Sequence, residues 1–109
     1  MLVPSASIGL VTPVPATTQH NSKVILTGGL NKGSAGLASS QAGTLSVQRY
    51  VDPAGLVPLG AALTVAVVAN TPVSVGWSDG LPSSSIVMSF NNTSGSAANL
   101  TDVVVDLAP

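Results

Sequence analysis

Proline and glycine interrupt this chain so often that no helix of ordinary length fits between them. The 109 residues include 11 glycines and 8 prolines. The segments between them are short, rich in β-branched residues and apolar at every second position, which is the period of a strand. Parallel strands would need crossover helices, and the chain has no segments for them. The sequence therefore predicts an all-β fold, an antiparallel β-sandwich of jelly-roll-like kind.

The expected strands end at turn residues and alternate apolar with polar side chains. They cover residues 23–27, 44–51, 62–68, 73–77, 85–91 and 100–107. Residues 34–43 are small and fit either a loop or a short strand. The run Asp52-Pro53-Ala54-Gly55 has Asp first, Pro second and Gly fourth, as in a type I turn. It predicts a hairpin that joins strand 44–51 to residues 56–58.

Alternation also indicates which side chains share a face. In strand 44–51, Arg49 shares the apolar face of Leu45, Val47 and Val51. The opposite face of that strand carries Thr44, Ser46, Gln48 and Tyr50. In strand 85–91 the inward residues are Ile86, Met88 and Phe90. In the last strand one face carries Thr101, Val103, Val105 and Leu107.

The first 21 residues differ in composition from the rest of the chain. Pro4, Pro13 and Pro15 oppose helix formation and favour an extended or polyproline form. We therefore divide the chain into an extended N-terminal arm, residues 1–21, and a β-sandwich domain, residues 22–109. Such an arm either frays in solution or lies across a neighbouring subunit.

Charge is scarce throughout the sequence. Three cations and four anions make up only 6% of the residues, against about a quarter in an ordinary domain. A freely diffusing monomer needs a charged surface, so the composition favours a component of an assembly. The net charge of −1 argues against a nucleic-acid partner and against a polybasic membrane patch. The absence of cysteine excludes disulfides and thiolate metal sites.

No group of residues predicts catalysis or a metal site. His20 is the only histidine, and the end of an arm is a poor place for a rigid site. Asp102 and Asp106 share a strand face but lie ~13 Å apart at the rise of a strand, too far for a carboxylate pair. The glycines match no phosphate-binding pattern. We therefore expect no enzyme activity, no cofactor and no bound metal.

Arg49 and Trp77 are the side chains most in need of a partner. Arg49 lies on an otherwise apolar strand face. Its guanidinium therefore meets either a carboxylate of its own chain or a group on a partner. Trp77 ends a strand, where it either plugs the end of the sandwich or takes part in binding.

Several segments resemble those of small β-sandwich domains in tailed bacteriophages. They are Gly43–Asp52 (GTLSVQRYVD), the Asp-Pro-Ala-Gly turn, Ser78–Pro82 (SDGLP) and Asn91–Leu100 (NNTSGSAANL). The likeness spans residues 22–108. Domains of this family occur in capsid decoration (cement) proteins and in head or tail fibres.

The resemblance implies a structural virion protein that binds the outside of the head shell and stabilises the contacts between capsomers. Its partners would be the major capsid protein and further copies of itself in a homotrimer. It would be made in the host cytoplasm and reside on the capsid surface of the virion. Docking would use the arm, with Pro4, Pro13 and Pro15, and one sheet face, together with Arg49 and Trp77.

The alternative is a fibre or tail adhesin, or a carbohydrate-binding β-sandwich module. It would hold sugar with Trp77, Tyr50 and Asn or Asp side chains of loops. An exposed Trp77 beside a groove favours this alternative. A buried Trp77, with the arm ordered on a neighbouring subunit, favours the decoration protein.

Overall fold

The computed structural model describes residues 1–109 and shows two antiparallel sheets packed face to face. The elements in chain order are α1 (Ser5–Ile8), β1 (Gln19–Asn21), β2 (Ile25–Leu26), β3 (Lys32–Ser39), β4 (Gly43–Tyr50), β5 (Leu63–Val67), β6 (Val73–Trp77), β7 (Ser85–Asn92) and β8 (Leu100–Ala108). The predicted all-β sandwich is confirmed. None of the helical segments has the length and apolar character needed to cross a bilayer.

The larger sheet has five strands, and β7 is the strand with the most neighbours. It pairs with β4 along one edge and with β1 and β2, one after the other, along the opposite edge. β5 completes the sheet beyond β4. The smaller sheet has the order β6-β3-β8. All of these pairings are antiparallel, as expected for a chain without crossover helices.

Regular alternation in β4 and β7 builds most of the larger sheet's inner face. The fully buried apolar side chains of these strands are Leu45, Val47, Ile86, Met88 and Phe90. The smaller sheet packs against them with Ala35, Leu37, Trp77, Val105 and Leu107. The expected inward faces of both strands are confirmed. Val51 is the exception: it follows the end of β4 and is exposed.

β3 covers the first part of residues 34–43, which fit either a loop or a short strand from sequence alone. Its residues are small (KGSAGLAS), and it lies between β6 and β8. Gly33 shows why small residues are needed here. A Cβ on Gly33 would lie 2.5 Å from Cζ2 of Trp77, so only glycine lets the indole rest against the strand.

The strand expected at residues 23–27 is shorter than predicted and contains only Ile25 and Leu26. Lys23 is instead held by α1. Its N–H donates to the carbonyl of Ile8 at 2.8 Å, and its Nζ donates to the carbonyl of Ala6 at 3.1 Å. Contacts with a distant helical turn therefore override the local strand preference.

The predicted face of the last strand is wrong at one residue, Thr101. The pairing of β8 with β3 shifts register between Gly36 and Ala38, and Asp102 adopts a φ of 54°. This irregularity leaves Thr101 exposed instead of on the inner face with Val103. Alternation cannot predict a bulge, because a bulge inserts a residue that breaks the period of two.

Residues 1–21 lie along the sandwich of their own chain. The N–H of Val3 donates to the carbonyl of Val105 at 2.8 Å. Val14 and Ala98 exchange two backbone hydrogen bonds, at 2.8 and 2.9 Å. Ile8 and Val14 are buried in the main core. The N-terminal segment thus contributes to the packing of the domain.

The prolines of this segment permit one helical turn that the sequence analysis did not predict. Pro4 directly precedes α1, and its carbonyl accepts hydrogen bonds from the N–H groups of Ser7 and Ile8. Proline is tolerated at the start of a helix, because its missing N–H would have no intrahelical partner there. The peptide bond before Pro13 is cis.

Candidate functional site

The outer face of the larger sheet carries mostly polar side chains and no charge. The register of its long strands places every second residue on this face. Ser89 lies between Asn21 and Ser46, and Thr64 follows Ser46 in the same row. We call this surface the polar face. Its polar members are Gln19, Asn21, Thr44, Ser46, Gln48, Tyr50, Thr64, Ser89 and Asn91, and the same sheet face also carries the apolar residues Leu26, Ala66 and Val87.

Hydrogen bonds hold part of the polar face in place. The Oδ1 atom of Asn21 accepts from Nε2 of Gln19 at 3.1 Å and from Oγ of Ser89 at 2.7 Å. Nε2 of Gln48 donates to the carbonyl oxygens of Arg49 at 2.8 Å and Gly60 at 3.1 Å. These bonds orient the side-chain amides and tie the face to the loop after β4.

Other side chains of the polar face are free to bind a ligand. The hydroxyls of Thr44, Ser46, Tyr50 and Thr64 and the amide of Asn91 lie outside this internal network. All are exposed or half-buried. A hydroxyl can donate and accept, and an amide offers both functions at separate atoms. The face can therefore pair with a ligand rich in neutral hydroxyls.

The few charges of the protein all lie away from the polar face. They lie in the core, in turns, beside α1 or on the smaller sheet: Lys23, Lys32, Arg49, Asp52, Asp79, Asp102 and Asp106. An ordinary solvated strand face would carry some charge, because charged residues make up about a quarter of a typical domain. The neutrality of this face suits an uncharged ligand.

Arg49 finds its partner within the chain. Its side chain is 4% exposed, and Nη1 and Nη2 donate to the two carboxylate oxygens of Asp79 at 2.6 and 2.9 Å. This side-chain hydrogen bonding, helped by the N–H of Leu81, lowers the pKa of Asp79 from 3.8 to about 2. Of the two partners considered for Arg49, the structure shows a carboxylate of its own chain.

Trp77 closes one end of the core. Its side chain is buried against Gly33, and its Nε1 atom has no hydrogen-bond partner. The indole therefore offers no platform to a sugar, which is what the decoration-protein hypothesis expects of this residue. Tyr50 is the single aromatic side chain on the polar face.

The other predicted site residues are not gathered on one surface. Pro4, Pro13 and Pro15 are exposed, whereas Arg49 and Trp77 are buried. His20 is half-buried in β1, where it pairs in register with Phe90. The structure therefore does not bring the five partner-binding candidates together.

Sequence reasoning located four of the nine polar residues of this face without recognising the face as a site. Thr44, Ser46, Gln48 and Tyr50 were placed together on one side of a strand. The sequence feature that could have identified the face was the lack of any Lys, Arg, Asp or Glu among these four residues. The contribution of Ser89 depends on the β4–β7 register, which the sequence alone does not reveal.

No family model and no curated protein matches the sequence. The fold is similar to part of a solved Clostridium thermocellum chain, the N-terminal endo-1,4-β-D-xylanase 10B with its CBM22-1 and GH10 modules, complexed with xylohexaose. The TM-score is 0.57 at 16% sequence identity, and the match covers 91% of this chain. It covers 21% of the xylanase chain, so the protein spans about a fifth of that chain's length.

A family 6 carbohydrate-binding module, whose binding sub-sites were dissected by crystallography and calorimetry, aligns more distantly. It covers 99% of this chain and 86% of its own, with a TM-score of 0.46 and 15% identity. At such low identity the likeness to the xylanase chain shows a shared fold alone. These comparisons do not test the resemblance to phage decoration proteins.

Proposed function

We propose that this protein is a non-catalytic module that attaches to a neutral polysaccharide through its polar face. The observation that carries the proposal is a sheet face on which most side chains carry a hydroxyl or amide group and none carries a charge. Sugars present neutral hydroxyls that both donate and accept hydrogen bonds, which is the chemistry this face offers. The shared fold with a chain that contains a CBM22-1 module and is complexed with xylohexaose supports the proposal.

The shape of the site favours an extended ligand. The polar face spans four neighbouring strands, about 14 Å at the usual strand spacing, and it forms an open surface. Tyr50 lies at one end of β4, where its ring offers apolar contact as well as a hydroxyl. If about five neutral hydrogen bonds contribute ~1 kcal/mol each, the Kd lies between about 0.1 and 1 mM.

Affinity electrophoresis in gels that contain xylan, mannan or hydroxyethylcellulose tests the proposal, with xylohexaose titration as the quantitative follow-up. We expect at least one of the three polymers to retard the protein. Ser46→Lys places a long charged side chain at the centre of the polar face, and it should abolish that retardation. The proposal is wrong if no neutral polysaccharide retards the protein.

The matched control is Ser74→Lys. Ser74 is an exposed serine of β6, on the smaller sheet. The control adds the same charge to the protein but leaves the polar face intact. We expect it to bind as the unmodified protein does. Equal loss in both variants would show that net charge, and not the polar face, governs retardation.

A second candidate function is favoured by a different observation, an apolar rim near the hairpin that follows β4. Leu26, Leu56 and Val57 are 61%, 77% and 55% exposed. Val24 and Val51 are also exposed there, and Val51 donates its N–H to the carbonyl of Val57. As the second candidate, we propose the structural virion role, in which this charge-poor protein decorates a capsid as a trimer.

The two candidates differ in what they predict for the same preparation. A monomer that binds polysaccharide through the polar face supports the first. A stable trimer that binds none of the three polymers supports the second. Solution mass and affinity electrophoresis together therefore decide between them.

A further inference from the structure

One side of the sandwich leaves both sheets open at their edges. β5 ends the larger sheet, since it pairs with β4 and no strand lies beyond it. β6 ends the smaller sheet in the same way, and it contacts β5. The edge strands of the two sheets therefore lie next to each other along this open side.

The edge of β8, at the other end of the smaller sheet, is covered by the N-terminal segment. The N–H of Val3 donates to the carbonyl of Val105 at 2.8 Å. The N–H of Leu107 donates to the carbonyl of Met1 at 2.8 Å. Main-chain groups at a bare edge are a template for pairing with another chain. The fold therefore covers the edge of β8 and leaves the edge of β5 uncovered.

The hydrogen bonds of β4 show which of its residues turn their backbone groups towards β5. The carbonyl of Tyr50 accepts from the N–H of Ser84, on the side of β7. The carbonyl of Arg49 accepts from the N–H of Leu59, on the side of β5. Because these directions alternate along a strand, residues 43, 45 and 47 also turn towards β5.

The same alternation decides which backbone groups of β5 point outward. Leu63, Val65 and Val67 lie opposite residues 47, 45 and 43 and bond to them. Thr64 and Ala66 consequently direct both their N–H and their carbonyl groups away from the sheet. No turn or loop supplies a backbone partner for either residue. The edge of β5 thus presents two donors and two acceptors of the main chain.

β5 lacks the features by which natural edge strands avoid pairing with another chain. Such strands carry charged residues, prolines or bulges. β5 contains no proline and no charged residue, and its pairing with β4 runs without a shift of register. The sequence has no Lys, Arg, Asp or Glu between Asp52 and Asp79, so the neighbouring β6 adds no charge to this side.

The outward groups of β5 are complementary to those of a second copy of the same strand. A two-fold axis at Val65 would place Thr64 of each copy opposite Ala66 of the other. Two residues paired in this way exchange two hydrogen bonds, so the contact would contain four. The half-buried Val65 side chains would meet at the axis as a non-hydrogen-bonded pair, in which side chains lie closest.

We infer that β5 pairs in antiparallel orientation with β5 of a second copy and joins the two larger sheets into one. Four neutral hydrogen bonds, together with the burial of Val65, correspond to a Kd of about 0.1–1 mM. At micromolar concentrations the protein is therefore mostly monomeric. In the dimer the two polar faces form one continuous surface. The inference rests on the strand edge and not on the binding of a ligand.

Nuclear magnetic resonance of the ¹⁵N-labelled full chain, recorded from about 0.02 to 2 mM, tests the inference over a range that brackets this Kd. We expect the amide signals of Thr64 and Ala66 to shift progressively as the concentration rises. Translational diffusion should slow over the same range, towards the value of a dimer. The signals of residues 51–57, on the apolar rim, should stay in place.

Ala66→Pro removes an N–H group that donates across the two-fold axis, so the dimer loses two of its four hydrogen bonds. Proline is accepted in an edge strand where the N–H faces away from the neighbouring strand. The Kd of the dimer should rise about tenfold or more. Ala66→Lys keeps the N–H group but adds the charge that natural edges use against pairing, and it should weaken the dimer as well.

The matched control is Ala54→Lys, which adds the same charge to an exposed alanine in the turn after β4. This variant should dimerise as the unmodified protein does. A protein that stays monomeric up to about 2 mM would overturn the inference, as would a dimer that both Ala66 variants leave intact. Concentration-dependent shifts confined to residues 51–57 would also overturn it, because they would place the contact on the apolar rim. Polysaccharide binding is measured on dilute protein, so the polar face is tested separately.

Discussion

Arg49 shows how a single inward-facing charge can be accommodated in an apolar core. A buried guanidinium without a counter-charge is strongly destabilising. Here the chain brings the turn after β6 over the end of β4, and Asp79 meets Arg49 through two hydrogen bonds. The carboxylate remains partly exposed, with 46% of its side-chain surface accessible. One pair therefore fixes the position of a loop relative to the larger sheet.

The first prediction concerns the pH dependence of this pair. The pKa of Asp79 is about 2 in the folded protein, below its reference value of 3.8. Its ionised form therefore contributes stability above pH 3.8, and that contribution is lost as the pH falls towards 2. Asp52 adds to the same trend, because the N–H of Val57 is the largest cause that lowers its pKa.

Asp79→Asn should lower the Tm at pH 7 and weaken the further fall of Tm between pH 4 and 2, with both effects measured by thermal circular dichroism. The control is Asp102→Asn, since Asp102 is exposed and belongs to no ion pair. That variant should follow the unmodified protein. A pH profile unchanged by Asp79→Asn would contradict the prediction.

The second prediction concerns the contact between Gly33 and Trp77. In Gly33→Ala the new methyl group would lie 2.5 Å from Cζ2 of Trp77 and 2.9 Å from the carbonyl oxygen of Asp106. Relief requires the indole or the strand to move, and overpacking of this kind costs about 1–3 kcal/mol. Urea unfolding followed by tryptophan fluorescence measures the change in the free energy of unfolding.

Gly76→Ala is the matched control, because Gly76 lies in the adjacent strand of the same sheet. The nearest atom to its Cβ would be the carbonyl oxygen of Gly33 at 3.6 Å, an ordinary contact. We expect a change within about 0.5 kcal/mol. Equal costs at both positions would show that glycine matters here for backbone freedom rather than for the indole.

At the scale of elements, Asn92 at the end of β7 fastens the N-terminal segment to the sandwich. Its side chain is fully buried. Nδ2 donates to the carbonyl oxygens of Val14, Pro15 and Ser96 at 3.1, 3.1 and 2.8 Å, and Oδ1 accepts from Ser94. A single amide therefore joins a strand, a loop and the chain that approaches β1.

The third prediction is that Asn92→Ala lowers the free energy of unfolding by about 2–4 kcal/mol, because it removes the hydrogen bonds of a fully buried amide and leaves the carbonyl oxygen of Pro15 and the N–H of Ser94 without a partner. Denaturant unfolding measures the loss. The control is Asn91→Ala, the next residue along the strand, whose side chain lies on the polar face. It should cost less than about 1 kcal/mol. Similar losses in the two variants would contradict the proposed role of Asn92.

The alternation of apolar and polar residues predicts those strands whose two faces differ in polarity. The strands 73–77 and 85–91 were located to within a residue of β6 and β7, because each places apolar side chains at every second position. β3 carries Gly, Ala and Ser in place of a clear pattern. Its conformation is set by pairing with β6 and β8 on both sides, and that information is not local.

The binding surfaces were harder to predict than the strands, for a related reason. The neutrality of one side of β4 was visible in Thr44, Ser46 and Gln48, but its extension across β7 and β1 depends on register. That register cannot be calculated from the spacing within a single segment.

At the scale of the whole molecule, internal pairing removes much of the little charge that the chain has. Arg49 pairs with Asp79, and the N-terminal ammonium group of Met1 pairs with Asp106 at 2.9 Å. The surface is left with few free charges and with exposed apolar side chains such as Leu56. A surface of this kind favours association, so self-association remains the prediction made from composition.

Truncation of the arm is a poor test of that prediction. Removing residues 1–21 would also remove Ile8 and Val14 from the core. Losses of buried aliphatic side chains cost several kcal/mol each, so the truncated chain would fail for reasons unrelated to association. A substitution on the exposed hairpin leaves the core intact and is the better probe.

The fourth prediction belongs to the virion role: under that role the full chain forms a trimer in size-exclusion chromatography with light scattering, and Leu56→Glu shifts it towards monomer. Leu56 is 77% exposed, so the substitution should not affect folding. Because the contact would be apolar, the mass should persist from 0.1 to 1 M salt, where screening would weaken charged contacts. The control is Val68→Glu, which places the same charge on a residue that is 61% exposed and lies just after β5. A monomer at every concentration would remove the support for the virion role and leave the polysaccharide-binding module as the function to pursue.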